Sequence, residues 1–427
     1  MKKRLVSVAL AMCTVTALCA CSQKEEEDIF TGEVAERPPY QDNLDLISPS
    51  AYSDLDGLDL KPGTYISVIG KETDSPYWQQ VKAGVQQAAD DLNEMLGYSG
   101  GDSLKITFNA PADGEDIDEQ VNILDEEMAR YPDVIAIASI DEEASAVQFD
   151  LAAENGIPIV AFDYGNNYQG ILCTCRTDNS AAAEGASKLC EAVGDDGEIA
   201  LIVHDSVSEN GKERENGIKE EIEKNHPGVT VVETIYMDKL DEMKRSAVAE
   251  QLGIDLEKIT AAAEEAQEEQ AAAQEENSGE ENAAESGSED ASEEESEELE
   301  QVDAQAESMS DADVIAYYLG KHPELKGCFG TNDASTQLAV SALDTAGMTD
   351  AVTVMGFDAG ADQLASLESG DVDGLVVQNP FGMGYATVIA GARTVLEIGN
   401  EAEVDTGYVW VDQSNMEDDN IQAFLYE

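Results

Sequence analysis

Asn155-Gly156-Ile157-Pro158-Ile159-Val160-Ala161-Phe162-Asp163 is the stretch whose reading decides the fold. Asn-Gly stops a helix, because glycine adopts the left-handed conformation of a helix C-terminus at no steric cost. Proline two residues later suits the start of a strand, where a missing N–H costs no ladder bond. Ile159 to Phe162 then reads as a short buried strand, and Asp163 stands at its carboxyl end. The unit is helix, turn, strand, acid. Working outward, the same alternation recurs. Before it come a strand at Tyr65–Gly70, a helix at Trp78–Leu96, and a strand at Leu104–Phe108. A helix at Asp116–Arg130, a strand at Val134–Ala138 and a helix at Glu142–Asn155 complete that half. After Asp178-Asn179 it restarts with a helix over Ala181–Ala192, a strand over Ile199–His204, a helix over Gly211–Lys224 and a strand over Thr230–Tyr236. It resumes with a helix over Ala312–Lys321, a strand over Gly327–Gly330, a helix over Ser335–Ala346 and a strand over Val352–Phe357. Strands alternating with helices mean βαβ crossovers and a parallel sheet. Two such series predict an α/β protein of two doubly wound, parallel-sheet (Rossmann-like) lobes.

The residues that close these strands share a chemistry. Tyr77 and Trp78 follow Ser75-Pro76, Asp163 follows Phe162, and Arg214 lies in Lys212-Glu213-Arg214. Asn332-Asp333 follows Thr331, Asp358 follows Phe357, and Gln378-Asn379-Pro380 follows Val377. In open α/β sheets ligands bind outside the carboxyl ends of the strands. Aromatic faces with carboxylates and amides suit a polar ring with an apolar face, such as a sugar, so the set predicts a binding cleft. Structural roles stay open beside this one. Tyr77-Trp78 can open a core-facing helix, Asp358 and Asn332-Asp333 can cap the helices that follow them, and Arg214 can be a solvated helix charge.

Composition bounds the possibilities. At 427 residues the chain can hold two domains with full cores. Its formal net charge of −68 repels nucleic acid and anionic lipid, so no nucleic-acid partner is expected. Residues 1–20 read as a secretion signal, with basic Lys2-Lys3-Arg4 and an apolar run Leu5–Leu18 too short to span a bilayer. Leu18-Cys19-Ala20-Cys21 resembles a bacterial lipobox, which implies lipidation of Cys21 and an extracytoplasmic protein held to the membrane by its lipid alone. Residues 21–63 read as a flexible acidic linker. Residues 258–310 read as an acidic low-complexity insertion, rich in Ala, Glu, Ser and Gln: Lys258–Glu276 could be a solvated helix, and the Gly and Ser clusters past Asn277 argue for disorder. Of seven cysteines, Cys173, Cys175, Cys190 and Cys328 lie beyond the N-terminal segment and read as buried free thiols. His204, His226 and His322 are isolated and lack metal-ligand spacing, so neither metal nor cofactor is expected.

With those residues in view, the chain resembles the type I periplasmic substrate-binding proteins of the ribose/galactose class, which feed ABC transporters. The resemblance runs from Tyr65 to Tyr408 and is carried by Ser75-Pro76-Tyr77-Trp78, Pro132-Asp133-Val134-Ile135, Gly156-Ile157-Pro158-Ile159-Val160 and Thr177-Asp178-Asn179. Gly330-Thr331-Asn332-Asp333, Gly356-Phe357-Asp358 and Gln378-Asn379-Pro380 complete it in order. It implies two lobes joined by three crossovers that close on a ligand by hinge motion. Lobe 1 would hold 64–177 and 379–407, and lobe 2 would hold 178–378 and 408–427. Carried over, Tyr77 and Trp78 flank a monosaccharide ring from lobe 1, where Asp163 accepts from hydroxyls. Arg214, Asn332 and Asp358 contact it from lobe 2 and Gln378 from the hinge. The position after Asp163, often Arg in ribose-type members, is Tyr164, which leaves the identity of the sugar open; Lys71 could add a contact or line the cleft mouth.

The function expected is therefore a monomeric, lipid-anchored receptor delivering a monosaccharide-like ligand to an ABC transporter permease. The alternative is a sensor lipoprotein presenting a sugar or autoinducer to a membrane receptor or kinase. No nucleophile elbow, Walker loop or zinc spacing occurs, and an enzyme is not expected.

Overall fold

A computed structural model describes residues 37–427, apart from 115, 142, 164–167, 178–179, 257, 262–288 and 427. Cys21, Tyr164 and Asp178-Asn179, together with residues 262–288 of the acidic insertion, lie outside the described residues. Pro39–Glu427 forms one compact unit.

In the first lobe the elements run α1 Gln41–Asp45, β1 Tyr65–Ile69, α2 Pro76–Leu96, β2 Lys105–Asn109, α3 Ile117–Met128 and β3 Val134–Ile137. α4 Ala146–Glu154, β4 Ile159–Phe162 and β5 Ile171–Arg176 follow. The second series is α5 Ser180–Ala192, β6 Gly197–Val203, α6 Glu209–Asn225, β7 Val229–Tyr236, α7 Leu240–Leu252, α8 Glu289–Ser308 and α9 Asp311–Leu319. It continues with β8 Leu325–Gly330, α10 Asp333–Ala346, β9 Thr353–Phe357, α11 Ala361–Ser369 and β10 Gly374–Gln378. α12 Pro380–Val395, β11 Glu403–Asp405, β12 Tyr408–Val411 and α13 Asp419–Gln422 close the chain.

The strands form two six-stranded sheets of the same order, β2-β1-β3-β4-β5-β11 and β7-β6-β8-β9-β10-β12. All pairings in the first are parallel, and in the second only β12 runs antiparallel, against β10. Central strands are buried along their whole length, as parallel strands covered by helices on both faces must be. The architecture is the pair of doubly wound lobes that the alternation predicts. Each order reverses at β1/β3 or β6/β8, and Asp163 and Asp358 stand outside the carboxyl ends of β4 and β9, where open α/β sheets place their ligand crevice.

α2 shows how sequence sets an element that carries the site. Ser75 caps it by accepting from the Trp78 N–H at 3.3 Å, Pro76 occupies the first turn, and Gly97 at φ 69° ends it. Its buried stripe of Val81, Val85, Ala88 and Leu92 packs on α12, which is itself buried at Pro380 and from Gly382 to Ala392. The crossing is close because two glycines face each other's backbone. A Cβ on Gly84 would lie 1.9 Å from the Phe381 carbonyl oxygen, and one on Gly384 would lie 2.0 Å from that of Val81.

Two segments depart from the sequence expectation. Residues 40–60, taken within the 21–63 linker, are packed onto the first lobe: Leu44, Ile47, Tyr52, Leu58 and Leu60 are all 5 % exposed or less. Burial at about 2 kcal/mol per such side chain offsets the ordering of a polar stretch with no periodicity. Ser48 adds a two-way backbone pairing with Asp405. The end of the insertion, expected to be disordered, is helix α8. Val302 and Ala306 bury against Val248, Ala249 and Ile259, and Asp303 pairs with Arg245 at 2.7 Å. The four described cysteines are buried and free.

Candidate functional site

Asp163 and Asp358 occupy equivalent places, one at the end of β4 and the other at the end of β9 in the second sheet. Both hold left-handed backbone, at φ 63° and 77°. Both donate their N–H to the neighbouring strand, to Cys175 O at 2.9 Å and Val376 O at 2.8 Å. Left-handed geometry costs a non-glycine residue of order 1 kcal/mol, and Asp tolerates it better than most. The turn lifts each carboxylate off its strand end into the crevice.

The crevice groups bind one another. Tyr77 donates its hydroxyl to Asp163 Oδ1 at 2.7 Å, and Lys71 Nζ lies 3.0 Å from Asp163 Oδ2. On the other jaw Gln378 Nε2 donates to Asp358 Oδ1 at 2.7 Å, and the Asp333 N–H donates to Asp358 Oδ2 at 3.3 Å. Asn210 of α6 reaches across to the Asp163 carbonyl at 3.3 Å, so the two jaws are in contact. Near the hinge Arg176 of β5 pairs with Glu213 of α6 at 2.8 Å, a second bridge between the lobes. Tyr77 is the pivot, packing against the cores of both lobes. Burial first, and then Asp163, drive its phenol well above the usual tyrosine range.

Arg214 is 7 % exposed and is no solvated charge. Its guanidinium donates to Thr331 O at 2.6 Å and stacks on the Phe357 ring, with 4.1 Å from Cζ to the ring centroid. Asn332 takes the capping role: its side chain accepts from the Ser335 N–H at 2.8 Å, and Ser335 returns the bond to the Asn332 N–H at 2.9 Å. Trp78 is 7 % exposed and sits in the first lobe's core, edge-on to Tyr77 at 5.4 Å and to Phe162 at 6.1 Å. Tyr77, Asp163, Asp358 and Gln378 therefore gather directly at the crevice, and Lys71 joins them there. Arg214, Asn332 and Trp78 support its walls.

Three further residues stand at the crevice: Asp333, read in the sequence only as the second member of the Asn332-Asp333 pair, and His204 and Tyr426, which the sequence did not single out as site residues. His204, at the end of β6, shares its Nδ1 with Thr331 Oγ1 at 2.8 Å. Burial, then the cations Arg214 and Lys71, push its imidazole down to about 4, so it is neutral at physiological pH. Asp333 has its carboxyl raised to about 6 by burial and by the charges of Asp358 and Asp362. Tyr426, near the C-terminus, is 3 % exposed. Its hydroxyl accepts from the Ala359 N–H at 3.2 Å, and its ring meets Tyr77 edge-on at 5.9 Å. Only its place after Phe424 and Leu425, an apolar run in a polar tail, could have signalled it.

Behind the crevice, Asn379 is wholly buried and bonded on every side. It donates to Asn43 O and Thr406 O, both at 2.7 Å, and accepts from the Gly382 N–H at 2.9 Å and from Asn43 Nδ2 at 3.1 Å. It ties two interlobe crossings to the N-terminal arm. Elsewhere, Ser187, His226 and Asp195 form a chain in the order of a catalytic triad, at 3.2 and 2.7 Å. Glu221 lies 3.5 Å from the same His226 nitrogen and shares it with Ser187, and Ser187 sits within helix α5. That arrangement is a helix tie. Among the described residues no group of three His, Cys, Asp or Glu side chains is placed to hold a metal.

The crevice holds paired acceptors and donors between two lobes. The comparisons agree with that architecture. The family described as periplasmic binding protein domain matches residues 66–317 and 280–396. Among solved structures, a carbohydrate transporter solute binding protein from Agrobacterium radiobacter in complex with D-arabinose superposes with a TM-score of 0.60 at 23 % identity, covering 85 % of this chain and 99 % of that one. An ABC transporter solute binding protein from Agrobacterium vitis bound with alpha-D-tagatopyranose gives 0.59 at 23 % identity, with the same coverage. An arabinose binding protein from Geobacillus stearothermophilus gives 0.59 at 20 %, again over 85 % and 99 %. At these identities the likeness is one of fold. A comparison with curated protein sequences finds no match. Matched over most of its length, and built as two lobes of one strand order around a shared crevice, the chain belongs to the periplasmic binding protein family, type I.

Proposed function

We propose that this chain is an extracytoplasmic solute-binding protein, anchored by a lipid on Cys21, that captures a monosaccharide-like ligand and delivers it to an ABC transporter permease. The observation that carries the reading is the pair Asp163 and Asp358, one acceptor on each jaw at equivalent strand ends. Their Tyr77 and Gln378 partners, and Lys71 on Asp163, are donors standing where hydroxyls of a ring would bond. A ligand bonding these carboxylates joins one lobe to the other, and charge-assisted bonds reject analogues lacking the hydroxyl. Tyr77, Asp163, Asp358 and Gln378 are the ligand contacts in this reading. Trp78, Arg214 and Asn332 shape the walls around them. One lobe comprises 64–177 with 379–407, and the other 178–378 with 408–427. The site binds and releases without chemical change to the ligand, and the protein works as a monomer.

The neighbours' names support the ligand class, with D-arabinose and tagatopyranose among their bound molecules. A thermal-shift screen against pentoses, hexoses, polyols, amino acids and nucleosides tests it, because a ligand that binds the native state raises its melting temperature. Shifts with sugars that vanish in Asp358→Ala are expected. Shifts only with amino acids or nucleosides would refute the sugar assignment, and conversion of a sugar to product would refute simple binding.

A further inference from the structure

The last residues of the chain enter the ligand crevice. After β12 the chain passes through α13, where Ile421 and Phe424 bury in the second lobe's core at 7 % and 5 % exposure. The Ala423 carbonyl accepts from Asn43 Nδ2 at 3.1 Å, which fixes the tail to the N-terminal arm as well. Three residues past that bond, Tyr426 places its ring against Tyr77 of the first lobe and its hydroxyl on the N–H of Ala359, the residue after Asp358. The phenol is therefore wedged between the aromatic group of one jaw and the carboxylate turn of the other, held by a core on one side and a hydrogen bond on the other. It cannot swing aside without breaking both.

We propose that Tyr426 is a specificity-determining residue that sets the size of ligand the crevice accepts, favouring a pentose-sized ring over its homologue bearing an exocyclic hydroxymethyl group. The inference rests on the sugar-binding reading above. Edge-on contact with Tyr77 leaves no layer for ligand atoms between the two rings, so the Tyr426 ring closes the crevice beside Asp358 like an end wall. A ring bonded to Asp163 and Asp358 then has its extent along that direction capped by a buried aromatic group. Packed interiors do not yield to an added carbon and oxygen without displacing side chains.

Two sugar pairs differ only by that hydroxymethyl group: D-xylose with D-glucose, and L-arabinose with D-galactose. Calorimetric affinities for both pairs are measured on the full chain and on Tyr426→Ala, Tyr426→Leu and Tyr426→Phe. The wild type and Tyr426→Phe should prefer the pentose, because both keep the ring. Tyr426→Ala should shift the hexose-to-pentose affinity ratio toward the hexose by about tenfold or more, the scale on which pockets discriminate single carbon groups. Tyr426→Leu, which keeps the tail apolar should alanine loosen it, should shift the ratio the same way by less. Ratios that stay within about twofold of wild type in both truncations overturn the inference while leaving sugar binding intact. If the wild type binds none of the four sugars but binds an amino acid or nucleoside, the sugar reading fails. The role of Tyr426 is then judged by the same criterion on that ligand and its one-carbon homologue. A wild type that binds no small solute overturns both.

Discussion

Gly84→Ala tests whether the α2–α12 crossing holds the first lobe at its present spacing. A Cβ at this position would sit 1.9 Å from the Phe381 carbonyl oxygen, whereas carbon and oxygen in contact settle near about 3.3 Å. The helices must therefore part locally by about 1.4 Å. Helix propensity pulls the other way, since alanine is favoured over glycine by about 1 kcal/mol in a helix interior. Overpacking a filled core costs about 1–3 kcal/mol, and more where backbone meets backbone and no rotamer can yield. Both helices are buried along the shared face, so the clash outweighs propensity, and a net loss of about 2 kcal/mol is expected. α2 begins at Pro76, so parting the helices also moves Tyr77 against its 2.7 Å bond to Asp163. The assay is chemical denaturation followed by far-UV circular dichroism, with ligand binding measured on the same samples. Gly384→Ala should behave alike, because its Cβ meets Val81 O at 2.0 Å. The double variant should lose less than the sum of the singles, since the first clash opens the gap for the second. A Gly84→Ala protein as stable as wild type, or more stable, would show that propensity governs this site and refute the account.

Four further outcomes follow from the crevice and its frame. Asn379→Asp replaces two donated bonds, to Asn43 O and Thr406 O, with carboxylate oxygen facing carbonyl oxygen in a buried place, and should cost about 3 kcal/mol or more in denaturant titration. Asp333 has a folded-state pKa of about 6, above the unfolded value near about 3.9, so the folded state binds more protons between those limits. Its contribution is complete below about pH 4 and is lost as pH rises through 6. Melting curves of Asp333→Asn between pH 4 and 7 should lack that decline. His204, lowered to about 4, has the opposite sign: its contribution is complete above about pH 6.5 and is lost as pH falls through 4, so His204→Gln should hold its stability better on acidification. Arg214→Lys keeps the charge but gives up the Phe357 stacking and the fork geometry aimed at Thr331 O. It should lower ligand affinity by about 1–3 kcal/mol in calorimetry.

Much of this molecule was legible before the structure, and what was not has physical causes. Asp163 and Asp358 could be read because a buried strand that ends in an acid leaves that acid outside the sheet. Asn332 had two readings, a cap and a ligand contact, and a sequence offers no distance that shows either; the 2.8 Å bond from the Ser335 N–H to its side-chain oxygen establishes the cap. Trp78 shows the limit of adjacency, since successive helical residues point about 100° apart and only Tyr77 of the pair faces the other lobe. The arm at residues 40–60 was missed because Leu44, Ile47, Tyr52, Leu58 and Leu60 follow no period, being spaced by the surface they cover. α8 was missed because composition averages a window, and two buried positions, Val302 and Ala306, vanish among its acids. His204 and Tyr426 owe their roles to contacts far away in the chain, with Thr331 and Tyr77, which no local pattern encodes.

The interleaving of the chain between its two sheets also sets an order of assembly. The first five strands of the all-parallel sheet are complete by Arg176, yet its core takes Met383, Tyr385, Val388 and Ile389 from α12, and its edge takes β11. The other sheet waits for β12 to cover the edge of β10. A chain synthesised from its N-terminus thus carries two unfinished halves until α12, β11 and β12 emerge, and because these three follow one another in the chain both halves are completed almost together.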